Sequence, residues 1–387
     1  MLYLHIPFCK QACSYCNFHF STNLKRRGEV VAAMQRELAV RRGELPDGGV
    51  PTIYFGGGTP SLLEAAELDA LFSTIVAEGY WDGRTEIEIT LEANPDDLTP
   101  ETAARLARSP VNRLSIGVQS FDEADLRFMN RAHDAQQALQ VVDTVRTAGF
   151  DNLSIDLIYG AQTTSDETWQ ENLRITTELG VNHIAAYALT VEPRTALGHH
   201  VAAGKVPDTD DEKFARHFDL LIDHLTGAGF EHYEISNFAR PGHRSRHNSG
   251  YWTGQPYLGV GPGAHSFDGV NRRRWNVSNN ATYVKAWADI EAVEAFVAAE
   301  NLLYEEERLT ERDRYNEYVM TGLRRTEGID LAELARRFGR DSADHFAREV
   351  EQHLTAGTLR QVPPGGIFRL TRSGLAVADG IAADAFR

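Results

Sequence analysis

The sequence predicts an α/β fold in which six β/α units form an incomplete TIM-like barrel, followed by a small, mostly helical domain. Apolar runs of strand length alternate with amphipathic stretches of helix length six times in succession. Such alternation favours a parallel sheet with right-handed crossovers. A complete eight-unit barrel needs about 250 residues. Because the alternation ends after the sixth unit, we expect the barrel to stay open.

The predicted strands and helices follow from the spacing of apolar residues. Residues 2–6 and 52–55 are short apolar runs, and residues 86–92 alternate so that Ile87 and Leu91 share one face. The remaining predicted strands are residues 113–118, 153–159 and 183–189, and the predicted helices are residues 30–41, 64–77, 136–148, 168–179 and 210–228. A helix therefore stands between most successive strands, as parallel pairing requires.

The chain divides into three predicted segments. Residues 1–236 form the partial barrel. Residues 237–305 begin with a stretch rich in Gly, Asn, Arg and aromatic residues that shows no period, so we expect a basic, aromatic ligand-binding loop region followed by a connecting helix. Residues 306–387 show helical patterns around an apolar run at 366–370, which indicates a small winged-helix-like domain.

The composition restricts the class of protein. The 387 residues carry 39 Lys and Arg against 55 Asp and Glu, a net charge of −16. This charge argues against nucleic acid as the main partner, because phosphate binding needs a basic surface. Neither a membrane-length apolar run nor a signal-peptide pattern is present, and three cysteines make no disulfide framework. We therefore expect a cytoplasmic protein without a stable membrane anchor.

The cysteines all lie in one short loop after the first predicted strand, at Cys9, Cys13 and Cys16. Three thiolates can bind three irons of a [4Fe–4S] cluster and leave the fourth iron open to an exchangeable ligand. Two alternatives stand beside this interpretation. One is a zinc site completed by His5 or His19, although zinc usually takes paired ligands from two separate loops. The other is three unrelated thiols.

Two motifs around the cysteines make the pattern specific. Tyr3-Leu-His-Ile-Pro-Phe-Cys9 leads into the loop, and Gly56-Gly-Gly-Thr-Pro60 ends the second strand. With these motifs the chain resembles the radical S-adenosylmethionine (SAM) superfamily, and within it the oxygen-independent coproporphyrinogen III oxidase group, over nearly its whole length. The resemblance implies a [4Fe–4S] cluster on the three cysteines, with the amino and carboxylate groups of SAM at the open iron. It also implies an electron donor, because an electron passed into the sulfonium cleaves SAM to methionine and a 5′-deoxyadenosyl radical.

The glycine triplet has two interpretations. Gly57 and Gly58 lack side chains, so backbone amides and carbonyls can approach a zwitterionic ligand closely. The alternative is a plain turn from strand to helix, for which a single glycine is enough.

Polar residues stand at or near the carboxyl ends of four predicted strands, where parallel barrels place their sites: Glu92, Gln119, Asp156 and Tyr187. Each of them alternatively caps a helix or holds a loop. A buried Asp156 needs a partner, for which we propose Arg131. The resemblance implies SAM contacts for Tyr3, Tyr15, Gly57, Gly58, Thr59, Glu92 and Ala188, and contacts with a second SAM molecule for Gln119, Arg131 and Asp156.

The stretch 237–276 reverses the sign of the charge. It holds Arg240, Arg244, Arg246, Arg272, Arg273 and Arg274 against Asp268 alone. Such a reversal attracts an anionic ligand. Flat apolar surface comes from Phe238, Tyr251, Trp252, Tyr257, Phe267 and Trp275. A flat apolar ligand with carboxylates, such as a porphyrin with propionates, suits both features.

Within this stretch lies His247-Asn248-Ser-Gly-Tyr251-Trp252. A histidine beside aromatic residues either ligates haem iron or is a hydrogen-bonded core residue. The pattern resembles the hallmark of the HemW-type haem chaperones, which are similar to the oxidase but bind haem and pass it to acceptor proteins. The resemblance implies that these four residues form a haem site with His247 as iron ligand. It also implies respiratory or other haem proteins as acceptors.

The residues after the cysteines separate the two families. The oxidase continues its triad as Cys-x-Cys, whereas this chain has Cys16-Asn17-Phe18. We therefore expect a haem chaperone without coproporphyrinogen III oxidase activity. One alternative is the oxidase itself, which converts propionates of coproporphyrinogen III to vinyl groups by oxidative decarboxylation. The other is a radical SAM enzyme with another substrate, in which the aromatic stretch is a lid.

Overall fold

Parallel strands form the main sheet of the computed structural model, which describes residues 1–46, 48–288, 290 and 303–387. The strands are β1 (Leu2–Ile6), β2 (Thr52–Gly57), β3 (Glu88–Ala93), β4 (Arg113–Gln119), β5 (Leu153–Tyr159), β6 (His183–Ala188), β7 (Glu231–Glu234), β8 (Asn237–Ala239) and β9 (Leu258–Val260). In the described chain their order is β7-β8-β6-β5-β4-β3-β2-β1-β9. Strands β1 to β6 pair in parallel with their neighbours, while β8 pairs antiparallel with β6. Because β7 and β9 are separate edges, the sheet stays open, and the predicted incomplete barrel of six units is confirmed.

Helices follow the strands and pack their apolar side chains against the sheet. They are α1 (Arg27–Val40), α2 (Ala65–Ala77), α3 (Pro100–Leu106), α4 (Glu123–Phe128), α5 (Ala135–Thr147), α6 (Asp166–Glu178), α7 (Ala196–Ala202), α8 (Asp211–Gly227), α9 (Arg246–Trp252) and α10 (Asn280–Ala288). Capping residues explain several starts: Asp134 and Gln137 form a capping box at α5, and Ser165 caps α6. Over the described ranges, no helix is both long and apolar enough to cross a bilayer.

The alternation of side chains along the strands separates the core from the site. In β1, Leu4 and Ile6 are almost fully buried in the main hydrophobic core, while Tyr3 and His5 belong to the opposite face. Successive strands carry polar groups on that same face, such as Glu92 of β3, which hydrogen-bonds to β2. The apolar face therefore holds the fold together, and the polar face lines the interior of the barrel.

The stretch 237–276, expected as a loop region, contains regular structure. It includes β8, α9 and β9, and then β10 (His265–Phe267) and β11 (Arg272–Asn276), which form an antiparallel sheet with β12 (Tyr304–Arg308). The loop prediction is wrong because strands of three residues are too short to show a period. The expected connecting helix corresponds in part to α10, and residues 289 and 291–302 lie outside the described residues.

The C-terminal part has its own small core. Its helices are α11 (Glu311–Leu323), α12 (Leu331–Phe338), α13 (Arg340–Glu349), α14 (Glu351–Thr355), α15 (Arg372–Leu375) and α16 (Ala378–Asp384), and its strands are β13 (Ile329–Asp330), β14 (Leu359–Val362) and β15 (Ile367–Leu370). The strands pair antiparallel in the order β13-β15-β14. Val319, Phe346 and Phe368 pack together beneath them. This is the small helical domain with a hairpin that the sequence predicts.

Candidate functional site

The cysteine loop follows β1 and is held by backbone hydrogen bonds. The Cys9 N–H donates to the Ser21 carbonyl at 3.1 Å, and the Cys16 N–H donates to the Cys13 carbonyl at 3.4 Å. Ser14 donates its N–H to Met129 at 3.0 Å, which ties the loop to the end of α4. All three thiols are free and partly exposed. Because the loop directly follows the carboxyl end of β1, the three cysteines lie at that end of the barrel.

The donor set fits an iron–sulfur cluster better than a single metal ion. Among the described residues, no three His, Cys, Asp or Glu side chains converge on one ion position. His5 and His19 do not complete a zinc site: Nε2 of His5 is 2.9 Å from the His19 carbonyl, and Nε2 of His19 is 2.8 Å from Asn280 Oδ1. A cluster takes one thiolate on each of three irons and needs no such convergence.

The unligated thiols are held in an unfavourable environment. Burial, together with the neighbouring Cys16 and Cys13, raises the pKa of Cys9 to about 11, although a hydrogen bond from Thr59 opposes the rise. Burial likewise raises the pKa of Cys16. Cationic iron stabilises thiolates, so the residues present favour binding of a positively charged group at this loop.

The glycine triplet at the end of β2 packs directly against the cysteine loop. The Gly58 N–H donates to the Ile6 carbonyl at 2.9 Å, and the Thr59 N–H donates to the Phe8 carbonyl at 2.7 Å. A Cβ on Gly58 would lie 2.6 Å from the Phe8 carbonyl oxygen, and Gly57 has a φ of 108°. The space at Gly58 is therefore used by the backbone that leads into the cysteines, and the space at Gly57 by the ring of His5. A plain turn from strand to helix, for which one glycine is enough, therefore does not explain the triplet.

Glu92, near the end of β3, connects β3 to β2 in the barrel interior. Its Oε1 accepts the Tyr54 hydroxyl at 2.7 Å, and its Oε2 accepts the Gly57 N–H at 3.1 Å. The ring of Tyr3 stacks on Tyr54 with centroids 6.0 Å apart. Burial raises the pKa of Glu92 to about 7, and the Asp156 carboxylate adds to the rise. The carboxyl groups of Glu92 and Asp156 are thus both buried in the interior of the barrel.

Arg131 does not pair with Asp156 as the sequence analysis proposed. Its Nη2 donates to Asn94 Oδ1 at 2.5 Å and to the Gly117 carbonyl at 2.6 Å, and its Nη1 donates to Cys13 Sγ at 3.2 Å. Asp156 instead accepts the Ser115 hydroxyl at 3.2 Å, and burial raises its pKa to about 6. The guanidinium therefore belongs to the cysteine loop, because the loop brings an acceptor sulfur within reach.

The other residues predicted for SAM lie on the same rim. Gln119 has a φ of 68°, a strained value for a non-glycine residue, at a register shift where β4 pairs with β5. The Tyr15 hydroxyl lies 3.5 Å from Nη1 of Arg131, and burial raises its pKa. Ala188, at the end of β6, pairs with Tyr159 of β5. Neighbouring strands thus bring these residues to one end of the barrel.

His247 lies inside the barrel with both ring nitrogens engaged. The residue is only 1% exposed. Its Nδ1 lies 2.7 Å from Thr52 Oγ1, and its Nε2 lies 3.0 Å from the Tyr251 hydroxyl. Glu88 accepts the His247 N–H at 2.9 Å, which fixes the start of α9. Burial lowers the pKa of His247 to about 3. In this conformation both ring nitrogens of the predicted iron ligand have partners, so ligation of iron by Nε2 would require the Tyr251 hydroxyl to leave it.

A cavity of about 1400 Å³ opens between α9 and the C-terminal domain. It exceeds the roughly 300–1,000 Å³ of ordinary small-molecule pockets. Asn248, Tyr251 and Trp252 line it on one side, and Tyr318 of α11 lines it on the other. We call this cavity the aromatic cleft. Three of the four residues predicted for haem therefore meet there, and His247 lies behind Tyr251.

The arginines of the stretch 237–276, predicted to attract an anionic ligand, mostly form ion pairs or hydrogen bonds within the protein. Their partners are distant in the sequence: Arg244 pairs with Glu231 and Glu327, Arg272 with Glu306, Arg273 with Glu317, Arg274 with Glu44, and Arg240 donates to the Ala228 carbonyl. Of the arginines in this stretch, Arg273 lines the aromatic cleft. The local excess of positive charge is thus largely compensated.

Sequence reasoning missed several residues of the site. Tyr54 hydrogen-bonds to Glu92, and Asn94 accepts a hydrogen bond from Arg131. Both lie close in the sequence to residues that were predicted for the site. The arginines of the aromatic cleft come mostly from the C-terminal domain, and among them are Arg314 and Arg324. Alternation within β2 offered a signal for Tyr54, whereas no local pattern marks an arginine on a helix as part of a distant cleft.

Comparison with known proteins agrees with this architecture. Residues 3–175 match the radical SAM superfamily, and residues 309–377 match the HemN C-terminal domain. The structure of coproporphyrinogen III oxidase (HemN) from Escherichia coli superposes with a TM-score of 0.83 over 100% of this chain and 89% of that chain, at 22% identity. At this identity the likeness shows the fold. The chain belongs to the radical SAM superfamily, as its fold and cysteine loop define.

Relatives place the chain more narrowly. Heme chaperone HemW of Mycobacterium tuberculosis is 36% identical over 74% of both chains. Heme chaperone HemW of Lactococcus lactis is 33% identical over 87% of this chain and 84% of its own, and that of Bacillus subtilis is 30% identical over 92% of both. Within the superfamily, the chain belongs to the HemW family.

Proposed function

We propose that the protein is a haem chaperone that binds haem in the aromatic cleft and passes it to respiratory or other acceptor proteins. The observation that carries the proposal is the position of Asn248, Tyr251 and Trp252 on one wall of a cavity of about 1400 Å³. The names of the HemW relatives support it. The free thiols suit a reducing cytoplasm.

We propose that Cys9, Cys13 and Cys16 hold a [4Fe–4S] cluster with exchangeable SAM. When bound, the cluster would supply the electron, itself obtained from a donor protein, that cleaves SAM. The residues proposed to contact SAM are Tyr3, Tyr15, Gly57, Gly58, Thr59, Glu92 and Ala188, with Gln119, Arg131 and Asp156 at a second molecule. Support comes from Glu92 and Asp156, because burial raises the pKa of Glu92 to about 7 and that of Asp156 to about 6. SAM carries a sulfonium and an ammonium group, and a positive charge beside these carboxyl groups favours their ionised form.

The aromatic cleft suits haem in shape and in chemistry. Tyr251 stands edge-on to Tyr257 with ring centroids 4.8 Å apart, and both line the cleft. Such a wall offers flat apolar surface to a macrocycle. The cleft is also lined by Tyr187 and Val270, which are 45% and 58% exposed. A ligand in the cleft can therefore contact both side chains.

The oxidase is the competing function. The oxidase needs its radical chemistry next to a propionate of its substrate. It also carries an additional cysteine two residues after its triad, and in this chain that position is occupied by Phe18, which is 69% exposed. A single experiment separates the two functions. The protein is reconstituted anaerobically with its cluster, titrated with ferric haem while the Soret band is followed, and separately supplied with coproporphyrinogen III, SAM and a reductant.

We expect saturable haem binding and no decarboxylated product. Trp252→Ala should weaken haem binding, because it removes a wall of the cleft. Trp275→Ala is the matched control, since Trp275 stacks on His265 outside the cleft. Absence of a saturable haem band in the wild-type protein would contradict the chaperone, and release of deoxyadenosine with protoporphyrinogen would establish the oxidase instead.

A further inference from the structure

We infer that Arg314 of α11, assisted by Arg324, is the carboxylate-binding group of the aromatic cleft and receives the propionates of haem. This inference rests on the proposed function, and it assigns the polar half of the haem site to the C-terminal domain. It starts from the arginines that line the cleft: Arg273, Arg314, Arg324, Arg325, Arg336, Arg337 and Arg369. The acidic residues of the same lining are fewer: Glu317, Glu327, Asp330 and Glu333.

Most of these arginines already have an acceptor. Glu333 binds Arg336 and Arg337 on α12, with N···O distances of 2.7 and 2.6 Å. Arg325 donates to the Thr321 carbonyl at 3.4 Å, and Arg369 donates to the Glu327 carbonyl at 3.3 Å. Each of these guanidinium groups therefore has at least one acceptor within the protein.

Arg314 differs from them. In the part of the chain that the structure describes, its guanidinium has no hydrogen-bond or ion-pair partner, and its Nε is buried. The carboxylate one helical turn further along α11, Glu317, is the natural neighbour. Both oxygens of Glu317 instead bind Arg273, at 2.7 and 3.0 Å. A buried donor left without an acceptor is unfavourable, so Arg314 favours an anion that enters the cleft.

Arg324 stands at the C-terminal end of α11 and lines the same cleft. Its Nη1 binds Asp379 at 3.0 Å, while its Nε is buried and has no partner among the described residues. Its guanidinium carbon is 5.6 Å from the ring centre of Trp252. Nε1 of Trp252 is a buried donor that likewise has no described acceptor. The cleft thus combines unused N–H donors with a flat apolar wall.

Unused donors of this kind select the charge of the ligand. Three buried N–H groups, on Arg314, Arg324 and Trp252, require acceptors, and carboxylates are the strongest acceptors for guanidinium groups. Haem carries two carboxylates on one edge of an apolar ring. The aromatic wall therefore suits the ring, and Arg314 suits that edge.

The test compares ferric haem with haem dimethyl ester, which keeps the ring and iron but lacks carboxylates. Both ligands are titrated into cluster-reconstituted wild type, Arg314→Gln and Arg312→Gln, where Arg312 lies on the same helix outside the cleft lining. We expect the wild type to bind haem more tightly than the ester. Arg314→Gln should lose about tenfold in haem affinity and bind the ester as the wild type does. Arg312→Gln should behave like the wild type.

A second pair of variants covers Arg324 without relying on a change in folding. Arg324→Gln removes the donor and the ion pair, whereas Asp379→Asn removes only the ion pair. We expect weaker haem binding in the first variant alone, with iron content and unfolding midpoint recorded for both. If the wild type binds neither ligand, the proposed function fails. If it binds haem and ester equally, or if Arg314→Gln binds haem as the wild type does, the inference about Arg314 fails and the proposed function stands.

Discussion

Arg131 donates from Nη1 to Sγ of Cys13 at 3.2 Å, across 118 residues of sequence. The same guanidinium binds Asn94 and the Gly117 carbonyl. One side chain therefore joins the cysteine loop to the ends of two barrel strands. Hydrogen bonds and positive charge beside cluster sulfurs raise the reduction potential of the cluster.

We predict that Arg131→Gln lowers the reduction potential of the reconstituted cluster by an amount on the order of tens of millivolts. The reason is the loss of a positive charge and an N–H donor at Cys13. The measurement is a potentiometric titration followed by electron paramagnetic resonance. Arg127→Gln is the control, because Arg127 is exposed and pairs with Glu123 at 3.5 Å. A potential equal to that of the wild type would show that the contact does not influence the cluster.

The packing of Gly58 against the cysteine loop leads to a prediction about cluster assembly. We expect Gly58→Ala to lose most of its cluster, because the new Cβ meets backbone atoms of Ile6 and Phe8 at 2.6–2.8 Å, and the loop must move. Iron and sulfide content after reconstitution are the measurement. Gly43→Ala is the matched control, since a Cβ there meets nothing within 4 Å. Full iron content in Gly58→Ala would show that the loop tolerates the displacement.

The hydrogen bond between Tyr251 and His247 predicts how a hydroxyl group affects haem binding. If His247 ligates the iron, the Tyr251 hydroxyl competes for its Nε2. Tyr251→Phe should then strengthen haem binding by a factor of about 2–10, the value of one hydrogen bond. Haem titration measures the effect, with Tyr257→Phe as the control from the same cleft. A loss of affinity in Tyr251→Phe would instead identify the Tyr251 phenol as a haem contact.

Buried histidines predict the acid sensitivity of the fold. Burial, with nearby Arg131, lowers the pKa of His133 from its ordinary value of 6.5 to about 4. Between these values the unfolded chain binds more protons than the folded one. The contribution of His133 to stability is therefore present above about pH 6.5 and is lost as the pH falls towards about 4.

We expect His133 to account for about 2 kcal/mol of the fall in the free energy of unfolding between about pH 7 and about pH 5. His133→Gln should lack this part of the pH dependence in urea unfolding of the cluster-free protein. Nε2 of His133 bonds the Val118 carbonyl at 2.9 Å, and a glutamine amide can donate in its place. Exposed His200→Gln is the control, and a pH dependence unchanged in His133→Gln would contradict the prediction.

Much of the fold was predictable because its signals are local. The ends of the six strands agree with the apolar runs to within about two residues. The three cysteines and the glycine triplet stand in short motifs whose chemistry depends on neighbours in the chain. The errors fall where elements are very short, such as β9 and β10, since three residues carry no period.

The sequence by itself determined the open α/β barrel, the cysteine loop and the aromatic motif at 247–252. Only the tertiary structure decided the partners of the charged and polar groups. Thr52, 195 residues from His247, occupies one of its nitrogens, and Glu44 compensates Arg274 across 230 residues. Among the described residues, Arg314 has no partner for its guanidinium because Glu317 binds Arg273 instead. Periodicity is a property of neighbouring residues, whereas hydrogen bonds and ion pairs depend on distances that folding alone sets.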